Sequence, residues 1–205
     1  GSLGTLGILL EVSLKVLPRP VAEATLRFEL DEASALRRVN EWGGQPLPVS
    51  ATLWQHGVLH LRLSGAEAAV QAACARLGGE ALAPGAAQAL WTAVREQTLP
   101  GFAVEEGRVL WRLSVPSTAP ALGLPGRQLV EWGGAQRWLA GAVDAQAVRA
   151  RAVELGGHAT AFRTGDRAAG VFQPLAAPLA VVHRRLKQAF DPAGIFNPGR
   201  LYPEF

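Results

Sequence analysis

A single cysteine, Cys74, leaves this chain without an internal disulfide. It sits in an alanine-rich helical pattern, where the expectation is a small buried hydrophobe. Methionine is absent and lysine is restricted to Lys15 and Lys187, so the basic residues are almost all arginine. They are scattered, with no basic block and no alternation with aromatics, and the formal net charge is only +3. The pI of about 9.7 overstates that charge, because one tyrosine and one cysteine leave little to titrate above neutrality. Nucleic-acid binding is therefore not expected. Four histidines (56, 60, 158, 183) lack the spacing of metal ligands, and Cys74 has no histidine partner suited to nucleophilic catalysis, so no metal is expected. No run approaches the ~20 apolar residues of a membrane span. The apolar opening carries Glu11 and Lys15 and lacks the basic start and cleavage site of a signal peptide. These features predict a soluble, cytoplasmic chain, and a start at glycine reads as an excised fragment.

With 49% hydrophobic and 18% charged residues over 205 positions, the chain has the means to bury a core. Residues 3–17 alternate loosely and predict a strand ended by Pro18-Arg19-Pro20, a natural domain boundary. Strong alternation over 22–30 predicts a strand with one wet face. Asp31 then caps a helix carrying Leu36, Val39 and Trp42, and Gly43-Gly44 ends it. Strands are expected at 50–54 and 58–63. Ser64-Gly-Ala-Glu67 has the form of a capping box, opening a helix that stops at Gly78-Gly79, with a short strand at 80–83. The order βαββαβ is the ferredoxin-like motif. A helix at 86–98 separates it from a second unit. That unit has strands at 108–115, 127–132 and 135–140, a helix capped by Asp144 and a strand at 158–163. A proline- and alanine-rich crossover, 116–126, stands where the first unit has a helix. Trp111, Trp132 and Trp138 fall on strands and read as packing residues.

The two units echo each other at a spacing of 78, most tellingly in Leu77-Gly-Gly-x-Ala81 and Leu155-Gly-Gly-x-Ala159. Each is a helix stop feeding a strand. The fold class expected is α+β: duplicated ferredoxin-like units sharing one antiparallel sheet, helices on one face.

The tail closes the chain differently. Pro178 opens a helix whose Leu179, Val182, Leu186 and Phe190 form one apolar stripe, and Asp191-Pro192 stops it. The following Ala-Gly-Ile-Phe-Asn-Pro-Gly-Arg200 reads as a rigid, shaped loop. Taken alone, this is a helix stop and tail.

The run Phe190-Asp-Pro-Ala-Gly-Ile-Phe-Asn-Pro-Gly-Arg200 resembles the C-terminal signature of FAD-linked oxidases of the vanillyl-alcohol-oxidase type. The opening Gly1-Ser-Leu-Gly-Thr-Leu-Gly7 resembles the entry to the last strand of that family's FAD-binding domain. Within the family the likeness is strongest to glycolate-oxidase subunits, through those glycines, Leu110-Trp111-Arg112 and Gly156-Gly-His-Ala-Thr160. The resemblance implies a remnant strand of the FAD domain over 1–18, a cap of two ferredoxin-like halves over 19–177, and a returning helix and loop over 178–205. It implies FAD as the cofactor of the full-length protein, with Gly1, Ser2, Gly4 and Gly7 lining it by backbone and Asn197 and Arg200 approaching the flavin. The fragment alone is not expected to retain FAD.

The implied activity is oxidation of a small 2-hydroxy acid. A sister flavoprotein subunit and an iron–sulfur subunit are the implied partners, and any membrane association is peripheral, through that complex. For such chemistry Arg163 offers a fork for the carboxylate and His158 a base for the hydroxyl. Hydroxy-acid dehydrogenases of similar type often carry a His-x-Gly-Asp-Gly-Asn-x-His run in the cap, and this chain has only Gly156-Gly-His158. Two other readings stay open: a non-catalytic assembly subunit, or a free-standing ferredoxin-like binding module.

Overall fold

The computed structural model describes residues 1–163 and 170–204. The chain divides into two units: one made of residues 19–169, the other of the two ends, 1–18 with 170–205.

The larger unit follows the expected order. It contains β1 (Ala22–Glu29), α1 (Glu32–Gly43), β2 (Val49–Gln55), β3 (Val58–Gly65), α2 (Glu67–Leu77) and β4 (Glu80–Ala81). Then come α3 (Pro84–Arg95), β5 (Val109–Ser114), β6 (Arg127–Glu131), β7 (Gln136–Gly141), α4 (Ala145–Glu154) and β8 (His158–Arg163). All eight strands join one antiparallel sheet in the order β4-β1-β3-β2-β6-β7-β5-β8. The second half repeats the first with its strands laid out in reverse, and β2 pairs with its own counterpart β6. Leu53 pairs with His60 and Leu129 with Trp138. The echo is thus 78 residues between His60 and Trp138 but 76 between Leu53 and Leu129. The connection after β2 is the dipeptide His56-Gly57, whereas that after β6 is four residues, Trp132–Ala135, which accounts for the difference. At the junction Trp54 pairs with Val130, its equivalent.

One row of directly opposed residues crosses the sheet as Phe28, Leu59, Trp54, Val130, Arg137, Leu113 and Ala159. Strand side chains alternate between faces, so residues opposed in this way share one face. On it α1 and α2 bury Val39, Trp42, Val70 and Ala73 against the first half, and α4 buries Val148 and Ala152 against the second. The other face is not bare, which corrects the expectation of helices on one side only. Leu90, Trp91 and Val94 of α3 pack there with Leu53, Leu129 and Trp138.

Capping follows the sequence at two sites. Asp31 accepts from the Ser34 amide at 2.8 Å, and Asp144 from the Ala147 amide at 2.9 Å. The capping box fails: α2 is preceded by Ala66 with no side-chain cap, because Ser64 stays in β3 and donates to Glu23 instead. Gly44 closes α1 at φ −82°, not in the left-handed region. Gly78 and Gly156 do end their helices at φ 66° and 76°. Cys74 is half-buried beside the core of the first half.

The crossover 116–126 has no helix, as expected, and α1 reaches across to it. Asn40 donates to the Ser117 carbonyl at 2.9 Å and accepts from the Ser117 hydroxyl at 2.8 Å. Carbonyls that a helix would satisfy internally are taken by two arginines. Fully buried Arg137 donates to Gly134, Ala119 and Pro120, and Arg151 donates to Leu122 and Ala121.

In the smaller unit α5 (Ala177–Phe190) forms as expected. The strand over 3–17 does not. Residues 3–6 make a turn, and Ile8, Leu9, Leu10, Val12 and Leu14 are exposed. Alternation specifies a strand only where a neighbour completes the ladder, and among the described residues none does. The apolar stripe of α5 is similarly uncovered, with Leu179, Val182, Leu186 and Phe190 all exposed. Among the described residues, no helix is long and apolar enough to cross a membrane.

Candidate functional site

The smaller unit brings the two ends of the chain together. Its hub is Lys187, the buried residue of α5. All three ammonium protons are used: Nζ donates to the Thr5 carbonyl at 2.8 Å, the Phe196 carbonyl at 2.7 Å and Asp191 Oδ2 at 2.6 Å. Asp191 also accepts from the amides of Ile195 (3.1 Å) and Phe196 (2.8 Å). Burial pushes the Asp191 carboxyl up. The bonds from Lys187 and the two amides outweigh burial and hold it below the ordinary carboxylate range. Five residues after the helix stop, Asn197 sits at φ 43°, and its amide donates to the carbonyls of Leu3 (3.4 Å) and Gly4 (3.1 Å). Thr5 closes the N-terminal turn through amide and hydroxyl bonds to the Ser2 carbonyl.

Gly4, at φ 77°, is the tight point, because a Cβ there would lie 2.7 Å from Asn197 Nδ2. Gly1 and Gly7 have open space instead. The turn thus pairs backbone bare of side chains with a fixed amide, which suits close approach by a flat ring system. Arg200 is exposed on the same turn, its amide bonded to the Asn197 carbonyl. The residues present fit one side of a flavin. Among the described residues, no glycine-rich loop between a strand and a helix offers a diphosphate cradle.

His158 and Arg163 are not brought together. They stand at opposite ends of β8, about 17 Å apart along the strand. Arg163 is committed to Gln97 Oε1 at 2.7 Å and the Phe102 carbonyl at 3.5 Å. The loop following Arg163 lies outside the described residues. His158 is exposed at the end of the row Arg27, His60, Leu53, Glu131, Gln136, Ser114.

Sequence reasoning passed over Glu131 in that row. It is buried, and Oε2 accepts from the indole N–H of Trp138 and from Gln136 Nε2. Burial pushes its carboxyl up, against the pull of those two donors. Glu131 lines an open groove of about 1270 Å³ between α3 and the sheet, together with Arg62 and Trp91. A glutamate set directly between the apolar pair Leu129-Val130 and Trp132 is the signal that was available.

Residues 176–201, which contain the Asn197 turn, match the model of the FAD linked oxidases, C-terminal domain. Over 204 residues, 100% of this chain, it is 47% identical to the glycolate oxidase subunit GlcE of Escherichia coli (strain K12). By residues 176–201 the chain is similar to the FAD-linked oxidases. It spans 56% of the length of that subunit. The matched segment begins just before α5 and ends past Arg200, so it covers the Lys187–Asp191 clasp as well as the Asn-Pro-Gly turn.

Proposed function

We propose that this chain belongs to an FAD-dependent subunit of a glycolate oxidase-type complex, and that the flavin lies against the turn formed by residues 1–7 and 196–200. The observation that carries the reading is the meeting of the two ends, Asn197 Nδ2 on the carbonyls of Leu3 and Gly4. A rigid polar turn held over bare backbone is what a planar cofactor needs. FAD, when bound, supplies the hydride acceptor for oxidation of a small 2-hydroxy acid. This chain's own part would be to hold the ring in place through Gly4, Gly7 and Asn197, and Arg200 would meet an oxygen of the cofactor.

Electrons would leave through the rest of the complex, a sister flavoprotein subunit and an iron–sulfur subunit. The separation of His158 from Arg163 argues against their serving one substrate as a base and carboxylate pair.

The experiment is Asn197→Ala in the full-length protein. Flavin occupancy should fall roughly tenfold, or the flavin potential should shift, while the melting temperature changes little. Unchanged occupancy and potential with only a lowered melting temperature would leave the turn a plain helix stop.

A further inference from the structure

We propose that the groove between α3 and the sheet is a binding site for a small carboxylate, with Arg62 as its anchor. The guanidinium of Arg62 lies over the Trp91 ring at 5.3 Å, and Trp91 is itself fixed by its indole N–H bond to Thr25 Oγ1 at 2.9 Å. Arg62 Nε donates to Ser50 Oγ at 2.9 Å; Ser50 Oγ lies 2.7 Å from Ser64 Oγ; Ser64 Oγ donates to Glu23 Oε1 at 2.7 Å. Ser64 spends its one proton on Glu23; Ser50 accepts from Arg62 Nε, and its own proton has both Ser64 Oγ and the Arg62 carbonyl (3.2 Å) as acceptors. The row ties the Arg62 guanidinium, through two serine hydroxyls, to the Glu23 carboxylate.

Ser50 stands in this row because it is the extra residue of a bulge. The register of β2 on β3 passes from Val49–Leu63 to Ala51–Arg62 and leaves Ser50 unpaired. Bulges re-aim a side chain, and they concentrate beside functional sites. Among the described residues, nothing bonds to the two terminal nitrogens of Arg62. A guanidinium held by its plane and its Nε, with both terminal nitrogens free, presents a two-pronged donor that matches a planar carboxylate. Arg95, with its Nε on Glu96, and Arg19 line the same groove, and Arg62 is set apart by having its plane held on Trp91. Burial pushes the carboxyl of Glu131 in the wall up, and Glu23, at the far end of the row, also lines the groove.

That the physiological ligand is a 2-hydroxy acid rests on the function proposed above; the anion site itself does not. Binding is read on this chain with no flavin present, by titrating glycolate and following the Arg62 Nε–H resonance. A saturable shift is expected. Arg62→Lys, which keeps the charge but loses the fork, should weaken glycolate roughly tenfold or more. Arg62→Gln should abolish it, and inorganic phosphate should bind more weakly than glycolate. In the full-length protein Arg62→Lys should raise KM for the hydroxy acid and leave FAD content unchanged. Absence of a saturable shift, equal binding by the Gln variant, or tighter binding of phosphate would each overturn the proposal. A full-length protein that bound no FAD but kept the glycolate titration would sink the flavin reading alone.

Discussion

Lys187 shows how far one side chain can be moved from its expected role. On sequence it is a cation suited to the last turn of a helix, where the dipole favours positive charge. In the fold it is buried and spends all its protons on the two turns beside it. The pairing with Asp191, four residues on, was readable as an i,i+4 pair; its burial was not, because the partners at residues 5 and 196 come from opposite ends of the chain. The pair has a pH signature. Asp191 titrates below its ordinary value in the fold, so its contribution is fully present above the unfolded carboxylate pKa of about 3.9 and is lost as pH falls below it. Amide protection at Ile195 and Phe196 should therefore hold down to about pH 4 and drop as pH is lowered further, and Asp191→Asn should flatten that dependence. Hydrogen exchange followed by NMR measures it; identical profiles for the two proteins would refute the assignment.

At the scale of elements, most of the sheet unit was legible because period-2 alternation, aspartate caps and glycine stops act locally. β1, β3, β5 and β8 and the caps of α1 and α4 fall where the sequence places them. What failed needed a partner. Residues 3–17 alternate but find no ladder, and Ser64 had a better bond to Glu23 than to a helix start. The bulge at Ser50 is one residue long and leaves the alternation around it nearly intact. The Asn197 turn was legible through resemblance, but the Arg62 row was not, since its members lie on three strands.

Arg137 is the other element-scale surprise. It occupies the position that Leu59 holds in the first half and stands in for a helix the second half lacks, supported by Glu32 of α1 at 3.7 Å. Arg137→Met should destabilise the chain by about 3–5 kcal/mol, because buried carbonyls and Glu32 lose their partner. Glu32→Gln should cost less, as the carbonyl bonds remain. Urea denaturation would measure both; a loss under ~1 kcal/mol for the methionine variant would mean the crossover is held by packing instead.

At the scale of the whole molecule, the sheet unit carries its own cores, whereas the turn proposed to face the flavin offers contacts on one side only. The 205-residue chain should therefore fold and elute from gel filtration, after incubation with excess FAD, without a stoichiometric yellow peak. Visible absorbance and circular dichroism of the protein fraction decide it; a retained flavin would show that the cofactor site is complete without a separate diphosphate cradle. The pairing of β2 with β6 bears on how such a chain can grow. Repeat proteins that lengthen indefinitely join unlike surfaces, the back of one copy to the front of the next, so a new copy always finds a vacant end. Here each half meets the other through the same strand, an isologous contact. That contact is self-terminating, since joining two halves consumes the joining edge of both. A further duplicated half would find that joining edge already taken and only the outer strands β4 and β8 left at the margins of the sheet.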